Sequence, residues 1–261
     1  MVLDKIVNLP SSSVTIGLCG ATGKMGKVVM QRIEKFSNCR IVATFSRQNN
    51  IRELTEFCRS CEVIIDFSDR EILEKLLNCA LVYKNKLVIG TTGLTQEQIS
   101  LIKGISKELA ILYSPNMSLG ANLLSVLATQ ASKFLGESYD IEIVDWHHRL
   151  KNDAPSGTAI MLGETLAKSR NLDFTECAVF SRNQKGKRAA NEIGIVSVRG
   201  GQVHGEHNIL FLGDNEVISL KHTALSRESF ADGAIQAALW VAKKEPGLYS
   251  MQDIFCLNSK L

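Results

Sequence analysis

The amino-acid sequence predicts an α/β fold in which an N-terminal, doubly wound parallel sheet is joined to a second, mixed α+β domain. Three observations lead to this prediction. Short apolar segments alternate with helical patterns up to about residue 113, a glycine-rich turn follows the first of these segments, and the later part of the chain carries mainly strands. With 261 residues, of which 45% are hydrophobic, the chain is long enough to form two compact domains.

The first part of the chain is predicted to contain five short apolar strands. They are expected at residues 14–19, 41–45, 63–67, 87–89 and 110–113. The helices between them are expected to end near residue 35 and to cover 51–59, 71–83 and 96–105. Strands that alternate with helices in this way are typical of a parallel sheet with helices on both faces.

The pattern changes after a helix predicted over residues 120–135. Strands are expected at 140–146, 194–199, 206–212 and 216–222, which indicates a mixed or antiparallel sheet. The last helix, predicted over 229–242, carries Phe230, Ala234, Ala238 and Val241 on one stripe. Such a stripe allows this helix to return to the first domain.

Composition and charge narrow the class of function. A net charge of +3 is too small to indicate a nucleic-acid partner. No apolar run approaches the length of a membrane span, so no membrane association is expected. The first residues lack the continuous apolar core of a signal peptide and carry an early Asp4, so we expect a cytoplasmic protein.

The seven cysteines are odd in number and scattered, which indicates reduced thiols rather than a disulfide framework. Cys58 and Cys61 form a C-x-x-C motif, a spacing found in metal and redox sites. No second pair accompanies it, and it lies where a helical pattern enters a strand. We therefore expect no metal or redox role for this motif, and no metal site is predicted elsewhere.

Three glycines mark the predicted cofactor site. Gly20, Gly23 and Gly26 follow the first strand and open the first helix, where the pyrophosphate of a dinucleotide binds to helix N–H groups. The spacing G-x-x-G-x-x-G is a variant of G-x-G-x-x-G, and a tight turn without a ligand is the alternative interpretation. The strand–turn–helix context favours a dinucleotide.

The end of the second strand predicts the choice of cofactor. An acid at this position binds the ribose hydroxyls of NADH and repels the 2′-phosphate of NADPH. This chain has Ser46 followed by Arg47, which are an uncharged hydroxyl and a guanidinium able to pair with phosphate. We therefore predict that NADPH is preferred, with NADH as the alternative cofactor.

Polar residues also follow the fourth and fifth strands, at the sheet edge where ligands bind in open α/β folds. They are Gly90, Thr91 and Thr92 after the fourth strand, and Ser114, Pro115, Asn116 and Met117 after the fifth. These residues are either neighbours of a nicotinamide ring or ordinary turn residues. Both interpretations stay open at this point.

Residues 142–159, E-I-V-D-W-H-H-R-L-K-N-D-A-P-S-G-T-A, are the densest concentration of chemically active groups in the chain. A predicted strand delivers His147, His148, Arg149 and Lys151 to its end, and 156–158 (S-G-T) opens a helix whose N–H groups suit an anion. Adjacent strand residues point to opposite faces, so the strand must end or bend if both histidines contribute to one site. Ordinary capping chemistry is the alternative interpretation. The cluster favours proton transfer to a small anionic substrate.

The chain resembles the dihydrodipicolinate reductase family, whose members are 4-hydroxy-tetrahydrodipicolinate reductases. The matching motifs run along nearly the whole sequence. They are G-A-T-G-K-M-G, D-F-S, G-T-T-G, N-M-S-L-G, H-H-R-L-K-N-D-A-P-S-G-T-A, V-R-G-G-Q-V-H-G-E-H and H-T-A-L-S-R-E-S-F-A-D-G-A. The string H-H-x-x-K-x-D-x-P-S-G-T is highly specific for this family.

The resemblance implies a domain organisation and an assembly. Residues 1–118 and 228–261 would form a Rossmann-type dinucleotide-binding domain. Residues 119–227 would form the domain for substrate binding and oligomerisation, and the protein would be a homotetramer.

The resemblance also implies roles for individual residues. His147 would be the catalytic proton donor and acceptor, Lys151 would be a proton donor, and His148, Gly157 and Thr158 would bind the carboxylates of the substrate. The residues implied to line the cofactor are Gly20, Ala21, Thr22, Gly23, Lys24, Met25, Arg47, Gly90, Thr91, Thr92, Ser114, Pro115, Asn116 and Met117.

Two positions depart from the family pattern. Many members carry an acid where this chain has Ser46, and those members also use NADH. Many members have a proline after D-F-[ST]-x, where this chain reads Asp69-Arg70-Glu71. The second departure leaves the cofactor contacts near Asp69 open.

The implied reaction reduces a cyclic imine dicarboxylate in the diaminopimelate and lysine pathway. A hydride from the cofactor reaches C4, the 4-hydroxyl leaves as water, and a proton neutralises the charge that develops on the ring. One alternative is another Rossmann-type reductase acting on a different small carboxylate. The other alternative is a dinucleotide-binding module without catalysis.

Overall fold

A computed structural model describes residues 13–183 and 186–255 of the chain. These residues form two compact units. One unit runs to Ser118 and resumes at Glu228, and the other spans Leu119–Arg227. The predicted assignment of residues 1–12 and 256–261 to the first domain lies outside the described residues.

The first unit is built from strands that alternate with helices. Its elements are β1 (Val14–Cys19), α1 (Lys24–Arg32), β2 (Cys39–Phe45), α2 (Glu53–Ser60), β3 (Val63–Asp66), α3 (Leu73–Tyr83), β4 (Lys86–Ile89), α4 (Gln96–Ile105) and β5 (Ala110–Tyr113). After the second unit, the chain returns with α8 (Glu228–Val241) and β11 (Gly247–Tyr249). The elements numbered between these belong to the second unit.

The six strands of the first unit form one parallel sheet with the order β11-β5-β4-β3-β1-β2. Strands β3 and β4 are almost wholly buried, as expected for a parallel sheet that is covered on both faces. Strand β1 lies between β2 and β3, so the order of the strands reverses at β1. Ligands of doubly wound sheets bind outside the carboxyl ends of the strands at such a point.

Helix α8 and strand β11 complete the first unit. Strand β11 pairs in parallel with β5 and forms one edge of the sheet. The guanidinium of Arg32, at the end of α1, pairs with Asp232 at 2.6 Å and with Glu228 at 2.7 Å. These contacts hold α8 beside α1, and seven residues of α8 are buried.

The second unit combines helices with a mixed sheet. Its elements are α5 (Leu119–Leu135), β6 (Asp140–His147), α6 (Gly157–Ser169), α7 (Phe174–Cys177), β7 (Ala178–Val179), β8 (Ile193–Arg199), β9 (Gly205–Leu212) and β10 (Val217–Ala224). The order is β10-β9-β6-β8-β7, with parallel pairing from β6 through β8 to β7 and antiparallel pairing on the side of β9 and β10.

One face of this second sheet carries the core. Ile141 and Ile143 of β6 pack with Ile209 and Phe211 of β9, and Leu162 of α6 belongs to the same buried cluster. The opposite face is apolar but more open. We call it the open face and define it by Val144 and Trp146 of β6, Val196 and Val198 of β8, Leu210 and Leu212 of β9, and Val217 of β10.

The predicted fold class is confirmed: a parallel α/β sheet precedes a mixed sheet. Helix α4 and strand β5 begin and end at the predicted residues. Strands β7 and β11 were not predicted, since they have two and three residues and carry no periodic pattern. No helix among the described residues is both long and apolar enough to cross a bilayer.

Candidate active site

Strand β6 positions the central residues of the candidate site. The alternation of side chains along a strand places Asp145 and His147 on the face that carries Ile141 and Ile143. Both residues are buried, and Asp145 has no exposed surface. Trp146 points to the opposite face, where its indole N–H donates to the carbonyl of Gly200 over 3.1 Å.

The carboxylate of Asp145 has two distinct sides. Its Oδ2 atom accepts hydrogen bonds from the backbone N–H of Ser156 at 2.9 Å, from Nη2 of Arg199 at 3.0 Å and from the hydroxyl of Ser197 at 3.2 Å. Strand β8 supplies two of these donors, because Ser197 is paired with Asp145 in the parallel register. A fully buried carboxylate of β6 is thereby joined to β8 and to the start of α6.

The Oδ1 atom of Asp145 faces two histidines. It lies 2.8 Å from Nδ1 of His147 and 3.5 Å from Nε2 of His207. The Nδ1–Oδ1 contact is short but falls outside linear hydrogen-bond geometry, so it is a charge–dipole contact rather than an aligned hydrogen bond. His207 stands directly opposite Asp145 in the antiparallel pairing of β6 and β9, and its Nε2 is 3.0 Å from the hydroxyl oxygen of Ser156.

Burial and neighbouring groups determine which side chains of this cluster are ionised. Burial acts to raise the pKa of Asp145, but the contacts with His147, Ser156 and Arg199 outweigh it and hold this pKa well below its usual range. Burial lowers the pKa of His207 to about 4, although the charge of Asp145 opposes the shift. At neutral pH the cluster therefore contains an ionised Asp145 and a neutral His207.

The side chains of Asp145, His147 and His207 also match the donors of a metal site. One ligand atom from each lies within 4.8 Å of the others. However, the guanidinium of Arg199 already lies 3.0 Å from the same carboxylate, and its positive charge repels a metal cation. We interpret the three residues as an electrostatic cluster around His147.

Lys151 and His148 follow the end of β6. The ammonium of Lys151 lies 2.8 Å and 2.9 Å from the two carboxylate oxygens of Asp153. Strand β6 ends at His147, so His148 lies in the loop and is released from the strict alternation. The Nδ1 atom of His148 accepts from the N–H of Leu150 at 3.2 Å, which leaves its Nε2 as the protonated nitrogen.

Helix α6 begins at the predicted anion site. Ser156 is its N-cap, and the hydroxyl of Ser156 accepts from the N–H of Ala159 at 3.2 Å. Gly157 and Thr158 occupy the first two helical positions. A substrate carboxylate fits such a helix start.

The glycine-rich turn of the first unit has the geometry of a dinucleotide site. Gly20 has a φ of 86°, and a Cβ atom there would stand 2.4 Å from the carbonyl oxygen of Phe67. Gly23 is the N-cap of α1, and a Cβ on Gly26 would stand 2.2 Å from the carbonyl of Gly20. The turn therefore lets the backbone approach a pyrophosphate at the start of α1, so the residues present fit this group.

A cleft of about 620 Å³ lies beside this turn. Gly20, Thr22, Gly23 and Arg47 are the predicted cofactor residues that line it. The side chain of Arg47 is 83% exposed and forms a short ion pair with Asp69. Ser46 also lines this cleft, and its hydroxyl lies 3.2 Å from Oδ1 of Asn49.

The other predicted cofactor residues are distributed along the same sheet edge. Thr91 and Thr92 line a second cleft of about 330 Å³, together with Asp69. The Thr91 hydroxyl donates to the buried Asp66 at 2.7 Å. Eight further residues are described by the structure but line neither of these two clefts, namely Ala21, Lys24, Met25, Gly90, Ser114, Pro115, Asn116 and Met117.

The C-x-x-C motif lies in the core of the first unit. Cys58 and Cys61 are buried, and the Sγ atom of Cys61 lies 3.5 Å from the carbonyl oxygen of Phe57. Burial raises the pKa of Cys61 to about 12. This thiol stays protonated at neutral pH, and a protonated thiol is neither a good nucleophile nor a metal ligand.

Four residues of these sites were not assigned a role from the sequence. Asp145, Arg199 and His207 surround His147, and Asp69 pairs with Arg47. The two-residue spacing of Asp145 and His147 was a usable signal, because it places both on one face of a strand. The other three depend on how distant strands pair, which no local pattern reveals.

Comparisons with known proteins identify the family of the chain. The family model described as dihydrodipicolinate reductase, N-terminus, matches residues 14–117, and the model for the C-terminus of the same family matches 120–255. The 4-hydroxy-tetrahydrodipicolinate reductase of Rickettsia bellii (strain OSU 85-389) is 55% identical over 242 residues, which cover 93% of this chain and 94% of the relative. That of Sulfurimonas denitrificans (strain ATCC 33889 / DSM 1251) is 42% identical over 257 residues, which cover 94% and 99%.

Solved structures share the fold. A dipicolinate-bound dihydrodipicolinate reductase from Paenisporosarcina sp. TG-14 superposes with a TM-score of 0.76 at 23% identity, covering 93% of this chain and 99% of that one. A diaminopimelate dehydrogenase from C. glutamicum gives 0.56 at 11% identity, with coverage of 96% and 97%. Since the family models span both units and curated relatives exceed 40% identity over most of the chain, the chain belongs to the dihydrodipicolinate reductase family.

Proposed function

We propose that this chain reduces 4-hydroxy-tetrahydrodipicolinate to tetrahydrodipicolinate with a nicotinamide cofactor, in the diaminopimelate and lysine pathway. Membership of the family supports the reaction. The observation that carries the assignment of the site is the position of His147. It stands at the end of β6 against the buried carboxylate of Asp145, and Lys151 follows it in the loop before α6.

The proposed chemistry needs one proton for each hydride. When bound, the nicotinamide supplies the hydride to C4 of the substrate. The 4-hydroxyl leaves as water together with a hydrogen of the neighbouring ring carbon, and His147 donates a proton to the ring, on which negative charge develops when the hydride arrives. Lys151 supplies positive charge near that ring and a second proton source. The ion pair of Lys151 with Asp153 is partly exposed, so it exchanges for a substrate carboxylate at small cost.

The two substrate carboxylates account for the remaining donors. We assign them to Nε2 of His148 and to the N–H groups and hydroxyl at Gly157 and Thr158. Support comes from the tautomer of His148, whose Nδ1 is already occupied, and from the position of Gly157 and Thr158 at a helix start.

For the cofactor we propose a preference for NADPH, with NADH as the alternative. The support is Arg47, which stands exposed on the wall of the 620 Å³ cleft at the end of β2. Asp69 competes with phosphate for this guanidinium. An exposed ion pair of this kind contributes only about 0–1 kcal/mol, whereas a phosphate offers charge-assisted hydrogen bonds to the same fork.

We also propose roles for the two units and an assembly. The unit with the glycine-rich turn binds the dinucleotide, and the unit spanning Leu119–Arg227 binds the substrate and forms the oligomer. The open face supports a homo-oligomer, proposed to be a tetramer, because it leaves Trp146, Val196, Val198 and Val217 exposed. We place the enzyme in the cytoplasm, which suits its six described cysteines, all with free thiols.

The direct test is oxidation of NADPH that depends on freshly generated 4-hydroxy-tetrahydrodipicolinate. His147→Gln and Lys151→Ala are each expected to lower kcat by about 100-fold or more, while the KM for the cofactor changes little. Lys168→Ala is the matched control for the lysine variant, because Lys168 is exposed in the last turn of α6. Near-normal kcat in both site variants would contradict the assigned roles, and cofactor binding without substrate-dependent oxidation would instead favour a dinucleotide-binding module.

A further inference from the structure

Asp145 is the buried charge at the centre of the candidate site, and its two oxygens serve different partners. Oδ2 receives three donors, from Ser156, Ser197 and Arg199. Oδ1 receives none of these and faces Nδ1 of His147 at 2.8 Å. Oδ2 therefore anchors the start of α6, while Oδ1 contacts the ring of His147.

We propose that Asp145 is a positioning residue, which holds the proton of neutral His147 on Nδ1 and leaves Nε2 to exchange a proton with the substrate. This inference rests on the proposed role of His147 as the proton donor. An ionised carboxylate next to Nδ1 favours a proton on that nitrogen, so the proton that is taken up and donated to the substrate is the one at Nε2.

The opposite side of the ring is consistent with this orientation. Nε2 of His147 is turned toward Gly205, the first residue of β9, and stands 2.9 Å from the point where a Cβ atom of that residue would lie. Asp145 is thus paired with the nitrogen that faces away from Gly205. The same carboxylate fixes the helix start that we assign to the substrate carboxylate, so proton donor and anion site share one support.

Substitution by asparagine separates the two functions of Asp145. The three donors at Oδ2 require an acceptor, so the amide oxygen must occupy that side. The amide NH2 group then faces His147, where it donates to Nδ1 and moves the proton of the neutral ring to Nε2. The start of α6 keeps its acceptor, whereas the proton of the neutral His147 ring is carried by the other nitrogen.

The test combines kinetics with nitrogen NMR on the full-length enzyme. In Asp145→Asn we expect kcat to fall by about 100- to 10,000-fold while the KM for the substrate changes by less than about threefold, because only the tautomer is wrong. In Asp145→Ala both parameters are expected to deteriorate. If Asp145 had a purely structural role, Asp145→Asn would change the KM for the substrate or the folding of the enzyme but would not selectively lower kcat.

The 15N shifts of the ring report the tautomer without any assay. The signals of His147 are identified by their loss in His147→Gln. The spectra are compared at a pH at which the ring of His147 is neutral. We expect the proton on Nδ1 in the wild-type enzyme and on Nε2 in Asp145→Asn. A neutral wild-type ring protonated on Nε2 would overturn the proposal even if Asp145→Asn failed to fold. If the wild-type enzyme shows the expected tautomer but the His147→Gln variant keeps a normal kcat, the role of His147 is refuted instead.

Discussion

The Nε2 atom of His147 lies 2.9 Å from the point at which a Cβ atom on Gly205 would stand. A methyl group at this position would push the ring away from its place beside Asp145. We expect Gly205→Ala to fold but to lower kcat by about 100-fold, because a shift of about 1 Å in a catalytic group has an effect of this size. Steady-state kinetics and circular dichroism measure the two quantities. Gly104→Ala in α4 is the control, since its Cβ meets open space, and normal kcat in Gly205→Ala would refute the assigned position of His147.

Arg47 is expected to discriminate between the two cofactors. In Arg47→Ala we predict that kcat/KM for NADPH falls by about 10- to 100-fold, because a charge-assisted hydrogen bond to the 2′-phosphate is lost. The value for NADH is expected to change much less. Parallel assays with both cofactors measure the ratio, and an equal loss for both would mean that Arg47 does not contact the 2′-phosphate.

The ion pair of Arg47 with Asp69 predicts a gain of function. In Asp69→Asn the guanidinium loses its internal counter-ion, so kcat/KM for NADPH should rise by up to about fivefold relative to NADH. Glu71→Gln is the matched control, because Glu71 lines the same cleft but is not paired with Arg47. This substitution removes the same charge as Asp69→Asn. An equal rise in both variants would point to the overall charge of the cleft rather than to this pair.

The buried His207 predicts a pH dependence of stability. Its pKa is about 4 in the folded chain, against an ordinary value of 6.5. Between these values the unfolded chain binds a proton that the folded chain does not, so the free energy of unfolding falls as the pH falls. This group alone should remove roughly 2 kcal/mol between pH 7 and pH 5. Urea unfolding at both pH values measures the change, and His207→Gln should flatten it. An unchanged pH slope in that variant would show that His207 titrates normally.

The open face predicts the behaviour of the oligomer. A charge introduced by Val196→Asp would be buried without a partner in an assembly formed through this face. We expect the variant to dissociate, and light scattering with size-exclusion chromatography would report the lower mass. Val82→Asp is the control, because Val82 is a strongly exposed residue of α3 in the first unit. A Val196→Asp protein of unchanged mass would place the interface elsewhere.

Local patterns in the sequence were sufficient for the fold but not for the full site. The alternation of apolar strands and helices predicted the parallel sheet, because each buried strand of such a sheet is a short apolar run. The same alternation placed β6, and with it the position of His147. The glycines of the first turn were found because tight backbone approach leaves a visible spacing.

The partners of His147 could not be found in the same way. His207 meets Asp145 only because β6 and β9 pair in one particular antiparallel register, and Arg199 arrives through the parallel pairing of β8. Likewise, Asp69 meets Arg47 because the ends of β2 and β3 lie at one edge of the sheet, on opposite sides of β1. Register is set by the packing of the whole sheet, so it leaves no short-range trace in the chain.

The late return of α8 and β11 to the first sheet has a consequence for the order of synthesis. Until the ribosome has passed residue 249, β5 has no partner on its outer side, and Arg32 lacks both carboxylates supplied by α8. The unit spanning Leu119–Arg227 is continuous, so all of its strands are available earlier. Although domains usually fold from the N-terminus onward during translation, here the domain that begins first is the last to be complete.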